Sequence, residues 1–183
     1  ERGRSSVSGH FPALLQEIPR GMFAGCTRLK NVSFAEYSMV TRVADYAFMA
    51  CRALTGVYLN GSITSVGKYA FACCENLETF VLPQIDGVAA IGPHAFQGCS
   101  SLSHFRFPHA LTTVQSWSFF GCSALKYIKL PKNVMMIDNH AFERCSSLEY
   151  ALLERPGVRI MKEAFDPNVP IHIRGADPAQ AVG

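Results

Sequence analysis

The chain has little charge. Lys, Arg, Asp and Glu make up 17% of its 183 residues, the net charge is +3 and the pI is near 8.5. A balance this mild points away from a phosphate backbone or an anionic membrane surface as partner, so no nucleic acid is expected to bind. Long apolar runs are missing too: no stretch reaches the roughly 18 residues of a membrane span, and no charged n-region precedes an apolar h-region. A start at Glu1 is compatible with a processed or truncated piece.

Chemistry is also hard to find. There is no H-E-x-x-H, no G-x-S-x-G, no paired-carboxylate cluster and no C-x-x-C, so neither a catalytic constellation nor a local metal site is expected. Gly61-Ser62-Ile63-Thr64-Ser65-Val66-Gly67-Lys68 has a residue too many between its glycines for a P-loop, and Tyr69 stands where Ser or Thr would hold magnesium. It reads as a turn and a returning strand. The six histidines are scattered over loops and strand surfaces. No cofactor and no small-molecule substrate are implied.

What is present is a repeat, which outranks every other signal. The frame apolar-x-x-x-Ala-Phe-x-x-Cys-x-x-Leu runs from Ile137 to Leu148 and recurs at Ile18 to Leu29, Val43 to Leu54, Val66 to Leu77, Ile91 to Leu102 and Val114 to Leu125. Met22 and Ser118 replace Ala in two copies, and an incomplete copy runs from Ile160 to Phe165. Six of the seven cysteines, Cys26, Cys51, Cys74, Cys99, Cys122 and Cys145, fall at one repeat position, 23 or 25 residues apart. Such spacing is a packing pattern and favours buried free thiols over disulfides or metal ligands, which in turn favours a reducing, intracellular compartment. Cys73, at a position that is Gly, Ala or Arg in other units, is expected nearer solvent.

Each frame is followed by Leu-x-x-apolar-x-apolar, the alternation of a strand with one buried face: Leu29-Val32-Phe34, Leu54-Val57-Leu59, Leu77-Phe80-Leu82, Leu102-Phe105-Phe107, Leu125-Ile128-Leu130 and Leu148-Ala151-Leu153. A turn marked by Pro83, Pro108, Pro131 or Asn60-Gly61 leads to a short return strand. Two units are longer around Glu36-Tyr37 and Ile85-Asp86, insertions assigned to the turn. The Ala-Phe-x-x-Cys-x-x-Leu segment has room for about two turns of a short helix or 3₁₀ corner. Stacked units would form a parallel sheet on one side and a ladder of Phe23, Phe48, Phe71, Phe96, Phe119, Phe142 and Phe165 inside. The polar residues 1–10 read as a flexible lead-in, 11–174 as the solenoid and 175–183 as a polar tail. Val7-Ser8-Gly9 is too polar for a normal strand copy, which leaves either a degenerate N-terminal cap or preceding repeats. Ile171 and Ile173 would form a final edge strand.

These units resemble the BspA-like, treponemal-type leucine-rich repeats. Ile91-Gly92-Pro93-His94-Ala95-Phe96-Gln97-Gly98-Cys99-Ser100-Ser101-Leu102 and Phe119 to Pro131 carry the likeness, which covers about Phe11 to Ile173 and departs at Met22, Ser118, Ala151 and the missing last Cys. The resemblance implies an α/β-repeat, right-handed leucine-rich-repeat solenoid: parallel strands on one face, helical or 3₁₀ corners, six full units and partial end units. It also implies a non-catalytic protein–protein interaction or scaffold module, alternatively a cell-surface or secreted adhesin.

The candidate surface comes from the residues. Outward strand positions repeat in register, as Asn31, Gly56, Thr79, His104, Tyr127, Tyr150 and as Ser33, Tyr58, Val81, Arg106, Lys129, Leu152. Toward the C-terminal end His104, Arg106, Tyr127, Lys129, Tyr150 and Leu152 form a patch with the composition of an interface centre; cross-strand pairing that merely stabilises the sheet is the competing explanation. Trp117 and Phe120, at a corner where other units carry His, Tyr or small residues, are the alternative site for a protein partner. Asn31-Val32-Ser33 and Asn60-Gly61-Ser62 fit the N-glycosylation pattern, which matters only along a secretory route.

Overall fold

The computed structural model describes residues 7–9, 15–34, 38–59, 63–82 and 87–175. The rest of the expected lead-in, the start of the first unit at 11–14, the Asn60-Gly61-Ser62 turn, both two-residue insertions and all of the tail beyond Gly175 lie outside the described residues.

Among the described residues fourteen short strands follow one another: β1 (Val7–Gly9), β2 (Glu17–Ile18), β3 (Asn31–Phe34), β4 (Arg42–Val43), β5 (Gly56–Tyr58), β6 (Ser65–Val66) and β7 (Thr79–Val81). They continue as β8 (Ala90–Ile91), β9 (Thr113–Val114), β10 (Tyr127–Leu130), β11 (Met136–Ile137), β12 (Tyr150–Leu153), β13 (Arg159–Ile160) and β14 (Ile171–Ile173). Among the described residues every pairing is parallel and chain neighbours never pair, so the chain winds as a solenoid with one return strand per turn and one sheet strand in every turn but that of residues 102–107. β1 lies inside the span expected to be a flexible lead-in and pairs with β3.

The corners differ from expectation. No helix or 3₁₀ segment forms among the described residues; successive turns take that place. Two residues of each full corner adopt a left-handed backbone, as at Tyr46 (φ 60°) and Ala50 (φ 59°), His94 (φ 57°) and Gly98 (φ 72°), or His140 (φ 58°) and Arg144 (φ 59°). For a residue with a Cβ this costs roughly 1–2 kcal/mol, and a right-handed helix cannot run through it. The compensation is a hydrogen-bond ladder between coils. Tyr46, Phe48 and Ala50 donate their backbone N–H groups to Lys68 O (2.9 Å), Ala70 O (2.8 Å) and Ala72 O (2.7 Å) of the next coil. The residues between them close tight turns within the coil, Met49 N–H to Tyr46 O at 3.1 Å and Cys51 N–H to Phe48 O at 3.2 Å. A helix would have spent all these donors internally.

The Phe ladder is as expected, with neighbouring rings stacked at centroid separations from 5.0 Å (Phe48–Phe71) to 5.5 Å (Phe71–Phe96). Beside it runs a ladder of thiols. Cys51, Cys74, Cys99, Cys122 and Cys145 each direct Sγ at the carbonyl oxygen of the Phe one coil earlier, Phe23, Phe48, Phe71, Phe96 and Phe119, at 3.1 to 3.3 Å. That small side chain packs as a hydrophobe and occupies a second lone pair of a carbonyl, which accounts for Cys at this position. Ser118 shows the opposite: fully buried in an Ala position, its hydroxyl has no partner, a defect of about 1–3 kcal/mol.

The sheets are interrupted. The sequence predicts a strand through Leu102-Phe105-Phe107, yet residues 102–107 form none, and both sheets divide there: β1-β3-β5-β7 from β10-β12-β14, and β2-β4-β6-β8 from β9-β11-β13. The first inward strand position holds Val32, Val57, Ile128 and Ala151 in other coils, but Phe80 and Phe105 here. Their rings stack with centroids 5.7 Å apart, and Phe107 packs edge-on against Phe105 at 4.8 Å. The corner ladder passes through unbroken, His94, Phe96 and Gly98 donating to Ser116 O (3.1 Å), Ser118 O (2.8 Å) and Phe120 O (2.8 Å).

Cys73 is half-exposed as expected, and so is Cys26 in the first described corner. Burial pushes the Cys99 and Cys122 thiols well up and that of Cys145 to about 12, so these are poor nucleophiles at neutral pH. A thiol reagent on the native protein should therefore modify Cys73 and Cys26 first, the other five reacting only on unfolding. Equal labelling of all seven, read by mass spectrometry, would contradict the thiol ladder.

Candidate functional site

Where the sheet is interrupted, a groove of about 420 Å³ opens on its outer face, lined by His104, Phe105, Arg106, Phe107, His109, Tyr127, Lys129, Pro131 and Glu154. Four of the six residues singled out from the sequence, His104, Arg106, Tyr127 and Lys129, thus line one depression. Strand alternation turns them outward, while the absent ladder lets the groove reach the otherwise buried Phe105 and Phe107. The other two flank it: Tyr150 pairs in register with Tyr127 and stacks on it at 5.8 Å and 11°, and Leu152, half-buried, pairs with Lys129. The row continues as His104 edge-on to Tyr127 (5.5 Å) and His172 edge-on to Tyr150 (5.9 Å). His109, Pro131 and Glu154 were not anticipated. Pro131 and His109 sit in turns, and Glu154 comes just after a strand, so no outward-row argument reaches them.

Electrostatics in the groove centre on Glu154. Lys129 Nζ is 2.9 Å from Glu154 Oε1, and Arg174 Nη1 is 3.9 Å from the same oxygen. The hydrogen bond from Lys129 is the main reason the carboxyl is held below the ordinary carboxylate range. Arg106, exposed, has no ion-pair partner among the described residues.

Trp117 and Phe120 belong elsewhere, on the corner. Trp117 occupies a left-handed position (φ 60°), half-buried between His94 (5.9 Å) and His140 (4.3 Å), with Phe120 beside it at 4.7 Å and the Arg144 guanidinium 5.3 Å from the Phe120 ring. They are part of a second, outer ladder that sequence reasoning missed: Tyr46, Tyr69, His94, Trp117 and His140, with neighbouring centroids 4.3 to 5.9 Å apart. Arg20 caps it over Tyr46 at 5.0 Å, and at the other end His140 meets Glu143 (2.6 Å) and Glu163 (3.4 Å). The signal was available, since the residue two before the ladder Phe is aromatic or His in five consecutive units. The ring faces are turned to one another, so this ladder offers edges to solvent.

Among the described residues no group of three His, Cys, Asp or Glu could hold a metal ion, and no helix is long and apolar enough to cross a membrane. Asn31 is exposed at the start of β3, its side-chain oxygen accepting a hydrogen bond from Thr55 Oγ1 at 3.3 Å.

A parallel solenoid of repeating sheet strands, return strands and Phe-Cys corners defines the class as a leucine-rich-repeat fold. The model of the BspA type leucine rich repeat region matches in six copies over residues 5–86 and 85–172, and the chain belongs to that family. Among solved structures it is similar to the T. pallidum leucine-rich repeat protein TpLRR, with 27% identity and a TM-score of 0.63, covering 78% of this chain and 72% of that one. A leucine-rich repeat protein of Eubacterium ventriosum shares 26% identity at a TM-score of 0.58, covering 71% of this chain but 33% of its own. One from Bacteroides ovatus shares the fold at 21% identity and a TM-score of 0.55; there 86% of this chain spans 55% of the other. No curated protein sequence matches.

Because its folded pKa lies below the unfolded value, Glu154 contributes stability that is complete above the ordinary carboxylate range and is lost as pH falls through the depressed folded value. Titration of the Glu154 carboxyl by NMR should give a midpoint below that range, and Lys129→Met should raise it. An unchanged midpoint in the variant would contradict the pairing.

Proposed function

We propose that the chain is a non-catalytic protein-interaction module that receives a protein partner in the groove at the interrupted sheet, through His104, Arg106, Tyr127 and Lys129, with Tyr150 and Leu152 at its margin. Proteins of this repeat class generally act as interaction or scaffold modules. The observation that supports the site is the groove itself: Tyr, Arg and His side chains, unneeded by the core, gather around reachable apolar floor residues. Large aromatic and Arg side chains at the centre of a depression are what interface anchors require, because neighbouring contacts can exclude water around them. Tyr127 and Tyr150 also stack on each other, which orients them and lowers the entropy lost when a partner is bound.

The double change Tyr127→Ala/Tyr150→Ala should weaken binding of a partner captured from the native source by about tenfold or more, the range for interface anchors, while circular dichroism stays unchanged. If binding instead survives that change and fails in a folded Trp117→Ala protein, the corner is the interface and the groove is not.

A further inference from the structure

Three features of the groove together narrow the kind of partner. The first is charge. Its lining carries two cations, Arg106 and Lys129, against one carboxylate, Glu154, and that carboxylate is engaged by Lys129 at 2.9 Å. Arg106 is left without a carboxylate among the described residues, and its planar fork of donors suits one.

The second is backbone. In the flanking coils each strand is in a parallel ladder, but His104, Phe105, Arg106 and Phe107 make no backbone–backbone hydrogen bond among the described residues; the nearest, Lys126 N–H to Ser103 O at 3.2 Å, lies one residue before them. Four consecutive residues of the groove lining therefore have main-chain donors and acceptors outside any ladder. Another extended main chain can satisfy consecutive groups of this kind, as when a peptide is bound against strand edges. The third is the floor. Phe105, Phe107 and Pro131 lie next to Tyr127, which provides an apolar seat beside the cation.

We infer that the groove binds an extended acidic peptide segment of a protein partner, an Asp or Glu side chain meeting Arg106, an adjacent apolar side chain on Phe105 and Phe107, and the peptide backbone hydrogen-bonding to residues 104–107. This deepens the interaction reading above and rests on it. A nucleic acid is disfavoured because phosphate binding draws on several free cations in a row, and Lys129 is already paired.

The test is selection of random peptides displayed on phage against the immobilised full chain, followed by fluorescence-anisotropy titration of synthetic versions of the enriched sequences. Enriched peptides should carry Asp or Glu next to an apolar residue, bind less tightly as salt rises, and lose about tenfold in affinity to the Arg106→Gln protein, as expected for a charge-assisted contact. Peptides that are neutral or basic, or indifferent to Arg106→Gln, yet weakened by Tyr127→Ala would overturn the acidic-peptide assignment and leave the groove reading standing. If no selected peptide depends on Tyr127 or Arg106, both fail. Displacement of the peptides by a single-stranded oligonucleotide at equal concentration would favour the nucleic acid and overturn the proposal.

Discussion

The structure depends on the hydrogen bonds that each corner gives to the next coil. Residues such as Tyr46, Phe48 and Ala50 donate outward along the stack while their neighbours close turns at home, so every coil is satisfied only when another lies on it. Such coupling makes the fold a one-dimensional array with its strength in neighbour contacts. The inward Phe rings and the thiols of Cys51 to Cys145 sit on the same corner, at the same repeat, and depend on the same register. The left-handed residues are the conformational cost of this arrangement, lowest where Gly98 and Gly121 occupy them and met by Ala50 and Arg144 without glycine.

With the corners carrying the stack, the sheet can tolerate a local fault. Where the first inward position carries Phe80 and Phe105 in place of Val, the ladder gives way between β7 and β10 without ending the solenoid. The same fault makes the groove. It lets the surface reach Phe105 and Phe107, strips residues 104–107 of their ladder partners and collects outward Arg, Lys, His and Tyr around them. The interruption thus becomes a place where polar groups outside any ladder meet an apolar floor, the combination that a partner can satisfy.

Much of this is legible in the residues alone, for reasons that can be named. The 23- or 25-residue return of Phe and Cys sets the repeat, and two-residue alternation places Tyr127 opposite Tyr150 and Lys129 opposite Leu152, as observed. Four of the six outward residues named from that alternation line the groove because their side of the strand is fixed by the pleat. The corner type was not legible. Ala, Phe, Cys and Leu at helical spacing also suit a string of turns, and left-handed backbone at Ala50, Cys73 and Arg144 carries no glycine to announce it. The interruption was hidden for another reason: Leu102, Phe105 and Phe107 keep the same alternation as the other strands, and Phe is a strand former, so nothing in the pattern marks this copy as different. Glu154 entered the groove from just beyond the end of β12, where alternation says nothing about direction.

The central claim is that the corner ladder holds the stack continuously while the sheet lets go at one coil, and amide hydrogen exchange followed residue by residue tests it most directly. The account predicts strong protection at Phe48, Phe71, Phe96 and Phe119, whose N–H groups each reach the next coil at 2.8 to 2.9 Å, together with fast exchange at Phe105, Arg106 and Phe107 in the free protein. Protection at residues 105–107 equal to that of the corner amides, or early exchange at Phe96 and Gly98, would contradict it.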